Sequence, residues 1–362
     1  MSRKLLSYTA IGLILGSTAI ADVPKVAVDI APVHSLVSRV MEGVGSPKLI
    51  IPAGASPHEY SLRPSEAKSL QDADMVIWMG EDLAPWMENS IETLSKNAEV
   101  ITLLEESDTK LLDFREGALF EEHDHGDHDD HDKDHDDHDD HDHDKDHDDH
   151  DDHDDQDDHD DHDKDHDDHD DHDHDKDHDD HDDHDDHDGH AHGEHDPHAW
   201  LSIENAQTWL NLVAGKLSAA DPDNAGVYFA NAAAAREEIN DLVKEVNSIL
   251  EPVRGRNFVV FHDAYQYFET SFDFPAAGAI SLGDATDPSA ARIAEIQDRV
   301  KDEGINCVLS EPQYNANLVA TVLSGTDAKT GVIDPLGLGL EPGSKLYGDL
   351  IRNMAKALAG CL

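Results

Sequence analysis

Residues 123–195 consist almost entirely of histidine and aspartate, and a stretch of that composition cannot close a hydrophobic core. Burying each aspartate without a fixed partner would cost several kcal/mol, so such a tract belongs in water and disorder is its expected state. It divides the chain into two foldable parts, roughly 100 residues before it and roughly 165 after it. Each part is long enough for a modest α/β domain able to bury a core.

The tract repeats itself: the 25 residues beginning at His131 recur from His162, an offset of 31, as in a duplicated low-complexity unit without an apolar face. Between Glu121 and Asp196 stand 43 acidic residues and four lysines, which carry −39 of the net charge of −56. Nucleic acid and anionic lipid are repelled by such a field, so cations are the expected partners. The tract also holds 24 of the 28 histidines. Imidazole favours zinc, copper, nickel and cobalt, and the many short His groupings read as weak, exchangeable sites rather than one cage.

Residues 1–21 have the form of a signal peptide. Arg3 and Lys4 precede a mostly apolar run, and Ala19-Ile20-Ala21 offers small residues before a cut at Asp22. The residue directly after that cut is Asp22 and not the cysteine that lipid anchoring needs, and no later segment approaches the roughly 20 apolar residues that span a bilayer. The periplasm is therefore the expected compartment. In an oxidising space the only two cysteines, Cys307 and Cys361, most simply form a disulfide, with a thiolate metal site as the alternative.

The remaining sequence alternates between short apolar runs and helical patterns, which predicts α/β lobes with parallel-rich sheets flanked by helices. Strands are predicted at 26–30, 48–51, 75–79 and 100–103, then at 258–261, 276–280, 305–309 and 331–333. Helices are predicted at 33–41, 64–73, 83–97 and 203–220, then at 264–271, 288–303, 315–323 and 345–358. Between them, Asp221 and Pro222 open a long helix in which Ile239, Leu242, Val243, Val246, Ile249 and Leu250 keep helical spacing until Pro252. Residues 221–252 thus form a rigid linking helix between an N-terminal lobe, 22–220 with the loop 121–196 inside it, and a C-terminal lobe, 253–362.

Outside the tract only His34, His58, His198 and His262 occur. His58 lies in a Gly/Pro loop after one predicted strand, His198 stands just before a helix, and His262 and Asp334 end two other strands. Carboxyl ends of parallel strands are where α/β sheets place ligand crevices, so three imidazoles and a carboxylate from both lobes meet in the interlobe cleft. That set is a normal tetrahedral zinc shell. His34, at the start of the first helix, is expected to cap or pack there. A zinc hydrolase is disfavoured, because His58-Glu59-Tyr60-Ser61-Leu62 lacks the second His of a His-Glu-x-x-His helix.

Five motifs in order carry a family resemblance: Ser56-Pro57-His58-Glu59-Tyr60, Asp196-Pro197-His198-Ala199-Trp200, His262-Asp263-Ala264-Tyr265, Leu309-Ser310-Glu311-Pro312-Gln313 and Asp334-Pro335-Leu336-Gly337. Together they resemble those of ZnuA-type periplasmic zinc-binding receptors of ABC importers. The resemblance implies a receptor and not an enzyme, with zinc held by His58, His198, His262 and Asp334 or a water. Glu59 and Glu311 are further candidates, as metal contacts or as orienting partners of the ligands. It also implies a Cys307–Cys361 disulfide. The implied partners of the monomer are the zinc ion, an inner-membrane ABC permease and periplasmic zinc chaperones, with the His/Asp tract as an auxiliary zinc collector or sensor.

Overall fold

A computed structural model describes residues 23–115, 195–281, 289–302, 304–314 and 316–362. The predicted signal peptide and all but the last two residues of the predicted 121–196 loop lie outside them. Two four-stranded sheets, all parallel, form the frame. The first contains β1 (Val26–Val28), β2 (Lys48–Leu49), β3 (Met75–Trp78) and β4 (Glu99–Thr102) in the order β2-β1-β3-β4. The second contains β5 (Phe258–His262), β6 (Ala279–Ser281), β7 (Cys307–Ser310) and β8 (Lys329–Val332) in the order β6-β5-β7-β8. The central strands β1, β3 and β5 are buried along their whole length, as sheets covered on both faces require.

Helices α1 (Ala31–Val40), α2 (Pro64–Gln71) and α3 (Pro85–Leu94) connect the first sheet, and α4 (Ile203–Ala220) follows the short turn Ala199–Leu201. The long α5 (Ala225–Leu250) leads to α6 (Gln266–Phe272), α7 (Ala290–Asp302), α8 (Ala316–Val322) and α9 (Leu346–Cys361). Every predicted element is present in the predicted order, with ends displaced by a few residues. Proline explains several starts: α2 and α3 open on Pro64 and Pro85, where a missing N–H is no loss and φ is already helical. Residues 222–224 form a separate 3₁₀ turn ahead of α5, because the Asp221 carboxylate accepts from both Asn224 and Tyr228 at 2.8 Å.

The buried face of α5 is Tyr228, Ala232, Ala235, Ile239, Leu242, Val246 and Leu250, a three–four spacing that lines one stripe against α1, α4 and α9. Val243 and Ile249, both read as inward from the sequence, are only partly buried at the edge of that stripe. The stripe joins a single apolar cluster that runs from the first sheet through α4, α5 and α9 to one face of the second sheet. A smaller cluster, including Val259, Ile280, Ile296 and Val308, fills that sheet's other face. Residues from both halves therefore share one core, where the sequence suggested one for each. Cys307 on β7 and Cys361 at the end of α9 are disulfide-bonded with Cα atoms 5.7 Å apart, so the thiolate alternative is set aside.

In each sheet the chain reverses its lateral direction between the two central strands, and α/β sheets bind ligands outside the carboxyl ends at that point. In the first sheet the position is occupied by Asp29, fully buried just after β1. Its carboxylate accepts the Ile30 and Met79 amides, each at 2.7 Å. Burial pushes this carboxyl up to about 7 despite those two bonds. A pKa raised on folding stabilises the fold most below the ordinary value of 3.8 and loses that contribution as pH rises toward 7. Asp29→Asn should therefore flatten the decline in stability between pH 4 and 7. Urea midpoints of the metal-free protein and the variant, compared at each pH, check this; parallel profiles would refute it.

Candidate metal centre

His262 is the last residue of β5 and Glu311 follows β7, so the pair occupies the corresponding position of the second sheet. His262 Nδ1 lies 2.5 Å from Glu311 Oε1, with both side chains almost fully buried. A carboxylate can only accept, so Nδ1 carries the proton and Nε2 presents a lone pair. His198 is arranged the same way. Asp196 Oδ1 accepts from its backbone amide at 2.9 Å and from its Nδ1 at 2.7 Å, which leaves Nε2 forward. Ser202, capping α4 through the Asn205 amide, fixes the end of the short turn Ala199–Leu201 that follows His198.

His58 comes from the loop after β2, and that loop is held at two places. Trp86 Nε1 of α3 donates to the Pro57 carbonyl at 2.8 Å. Tyr60 donates to Glu66 of α2 at 2.9 Å, and Glu66 also accepts the Arg63 amide at 2.8 Å. One ligand atom from each of His58, His198 and His262 lies within 4.8 Å of the other two, the one such group of three or more metal-ligating side chains among the described residues.

The two buried lone pairs converge: His198 Nε2 and His262 Nε2 are 3.4 Å apart. With Zn–N near 2.0–2.1 Å, the edge of a zinc tetrahedron is about 3.3–3.4 Å. Two acceptors at that distance repel each other unless a cation stands between them. The cavity around them measures about 20 Å³, room for an ion or a water but not for an organic substrate. Trp200, Tyr314, Pro335 and Leu336 form its apolar wall, and Trp200 is fixed by donating to the Pro335 carbonyl at 2.9 Å. A dry wall of this kind strengthens each imidazole–cation contact.

Asp334 lies two residues beyond β8, outside the group of three. Its Oδ1 accepts the Leu336 and Gly337 amides, each at 3.0 Å, and the Gln313 side-chain amide at 3.3 Å. Gly337 completes that turn at φ +81°, where a Cβ would press to 3.3 Å on Leu346. Glu59 is exposed and absent from the cavity lining. His34 packs as expected, its Nε2 3.3 Å from the Pro47 carbonyl, away from the cluster. Trp86 and Glu66 were not singled out from sequence, and Asp196 stood there only as the first residue of a motif, an aspartate two residues before a histidine.

Two parallel sheets with a cluster of three imidazoles that could hold a metal ion are the fold and the site of a metal-binding protein. The match to known proteins is specific: the family model described as "ZnuA: Zinc-uptake complex component A periplasmic" covers residues 26–361, and the chain belongs to this family. The high-affinity zinc uptake system protein ZnuA of Paracoccus denitrificans is 46% identical over 352 residues, covering 96% of this chain and 95% of that protein. Its counterpart in Brucella abortus is 44% identical over 347 residues, covering 96% and 94%. A ZnuA crystal structure superposes with a TM-score of 0.65 at 18% identity, over 94% of this chain and 99% of the other, which speaks to the fold.

Proposed function

We propose that this protein captures zinc with high affinity in the periplasm and delivers it to the permease of an ABC importer. The observation that carries this reading is the pair of His198 and His262 Nε2 atoms set 3.4 Å apart, each with its Nδ1 held by a buried carboxylate. His58 supplies the third nitrogen, and Glu311 and Asp196 orient the imidazoles and raise their basicity. A fourth donor, Asp334 or a water in the cavity, completes the tetrahedron. The borderline character of three neutral nitrogens favours zinc over manganese or magnesium. A cavity too small for an organic substrate speaks for a carrier and against a hydrolase.

No helix among the described residues is long and apolar enough to cross a membrane, and the relatives are periplasmic, which supports export through residues 1–21. Two separately paired sheets on either side of α5 support the proposed division into lobes 22–220 and 253–362 joined by 221–252. The His/Asp tract, with 24 histidines, gathers zinc weakly and passes it to the central site or reports its abundance. A chain lacking 123–189 tests both parts. Competitive titration should leave one tightly held zinc, and uptake should fall under scarcity. No tight zinc would refute the central site, and unchanged uptake at every zinc level would refute the tract's role.

A further inference from the structure

The residues on either side of 116–194 are fastened to one another and to α6. Residues 112–113 pair antiparallel with 195–196: Asp113 and His195 form a bridge, and the Asp196 amide donates to the Leu112 carbonyl at 2.8 Å. Tyr267 of α6 seals this neck, its hydroxyl accepting the Leu112 amide and donating to the Asp196 carbonyl, both at 2.9 Å. Beyond the neck Arg115 turns onto the second half of the chain. Its Nε lies 3.0 Å from both Asp263 oxygens, and its Nη1 and Nη2 lie 2.8 and 3.1 Å from the two Glu269 oxygens.

These contacts end on the supports of the metal site. Asp263 follows His262 in sequence, and Asp196 is the carboxylate that holds His198. The carboxylates of Asp263 and Glu269 are 4% and 5% exposed, so the guanidinium is the cation that makes their joint burial tolerable. Burial raises the Glu269 carboxyl and Arg115 draws it back. Burial alone would lower the Arg115 guanidinium, yet bonding to the two acids leaves it raised. A surface ion pair would matter little here, whereas losing the cation from a buried triad displaces the chain that carries the acids.

We infer that Arg115 is a positioning residue that straps the neck of the insertion to the β5–α6 turn and thereby holds His262 on the zinc ion, slowing its release. The strap joins residues 148 and 154 positions apart and bridges the first half of the chain to the second. It rests on the assignment of zinc to His58, His198 and His262.

The test is zinc release from the full chain into excess EDTA with a fluorescent zinc reporter. Tract-bound ions leave in a fast phase and one equivalent leaves in a slow phase. Arg115→Met should speed the slow phase about tenfold, the lower end of what losing an outer partner of a metal ligand causes. Arg115→Lys should recover most of the original rate, and the zinc-induced rise in Tm should shrink in Arg115→Met. Should Arg115→Met fail to fold, Glu269→Gln, which keeps the Asp263 fork, should give a smaller acceleration. An unchanged slow phase, or equal falls in Tm with and without zinc, overturns the strap. His262→Ala separates the two claims: a slow phase that survives it overturns the zinc site and the strap together. If it removes the slow phase while the Arg115 and Glu269 variants release zinc at the original rate, only the strap fails.

Discussion

His262→Ala is expected to weaken zinc binding more than 100-fold, beyond the 10–100-fold typical of losing an outer hydrogen-bond partner. The substitution removes a direct nitrogen donor and leaves Glu311 buried without the proton it accepts. His198→Ala should do the same, since it removes the second nitrogen donor and leaves Asp196 only the backbone amide of residue 198. His58→Ala acts on a half-buried ring carried by a loop, where water can replace the lost donor, and should weaken binding less. Competitive titration against a chromophoric chelator, in chains lacking 123–189, measures all three. Affinities of the His262 and His198 variants equal to that of the unsubstituted chain would remove the site. Asp334→Ala in the same assay assigns the fourth donor, since a lost carboxylate ligand lowers affinity while a water ligand leaves it close to the original. Acidification should weaken binding in every version, because a protonated imidazole cannot ligate.

Cys307→Ser is expected to cost about 4 kcal/mol, from the entropy of a closed loop whose ends are 54 residues apart. For a folded part of this size that corresponds to roughly 10 °C in Tm. The bond ties the start of β7 to the end of α9, so it fixes the strand that carries Glu311 and closes the core shared with α5. Zinc affinity should change far less than Tm, since Cys307 stands at the opposite end of β7 from the metal site. A thermal melt with and without reductant gives the comparison, and coincident transitions would show that the loop closure contributes nothing.

The elements were legible because their signals are local. Continuous apolar runs at 75–79 and 258–261 mark strands buried on both faces, and β3 and β5 are that. Heptad-like spacing found α5, although Val243 and Ile249 fell at the edge of its stripe, since spacing gives a direction and not the width of the partner surface. The candidate ligands were legible as well, because each ends a strand or opens a turn in a chain with few other histidines. Strand ends drifted where backbone pairing decided them: β8 begins at Lys329, two residues ahead of its expected start, since Cys307 and Val308 offer it partners.

The support of those ligands was legible only in part: Glu311 was a candidate orienting partner through its motif, and Asp196 stood two residues before a histidine. Asp196 and Glu311 become meaningful only when their oxygens are placed on Nδ1 atoms, and that depends on which strands lie side by side. Asp29 reads as one more acidic residue until β1 and β3 pair and bury it against Met79. Arg115 reads as the last cation before an acidic tract until α6 brings Asp263 and Glu269 to it.

Composition, apolar periodicity and motif order thus determined by themselves the α/β class, the long helix, the insertion that cannot form a core and the three imidazoles offered to a metal. Those properties follow from neighbouring residues along the chain. The strand order, the merging of two expected cores into one, the tautomers of His198 and His262 and the strap at Arg115 were decided only by the tertiary structure. Each needs groups up to 154 positions apart to meet in a dry interior, where a carboxylate fixes a proton that water would leave free to move.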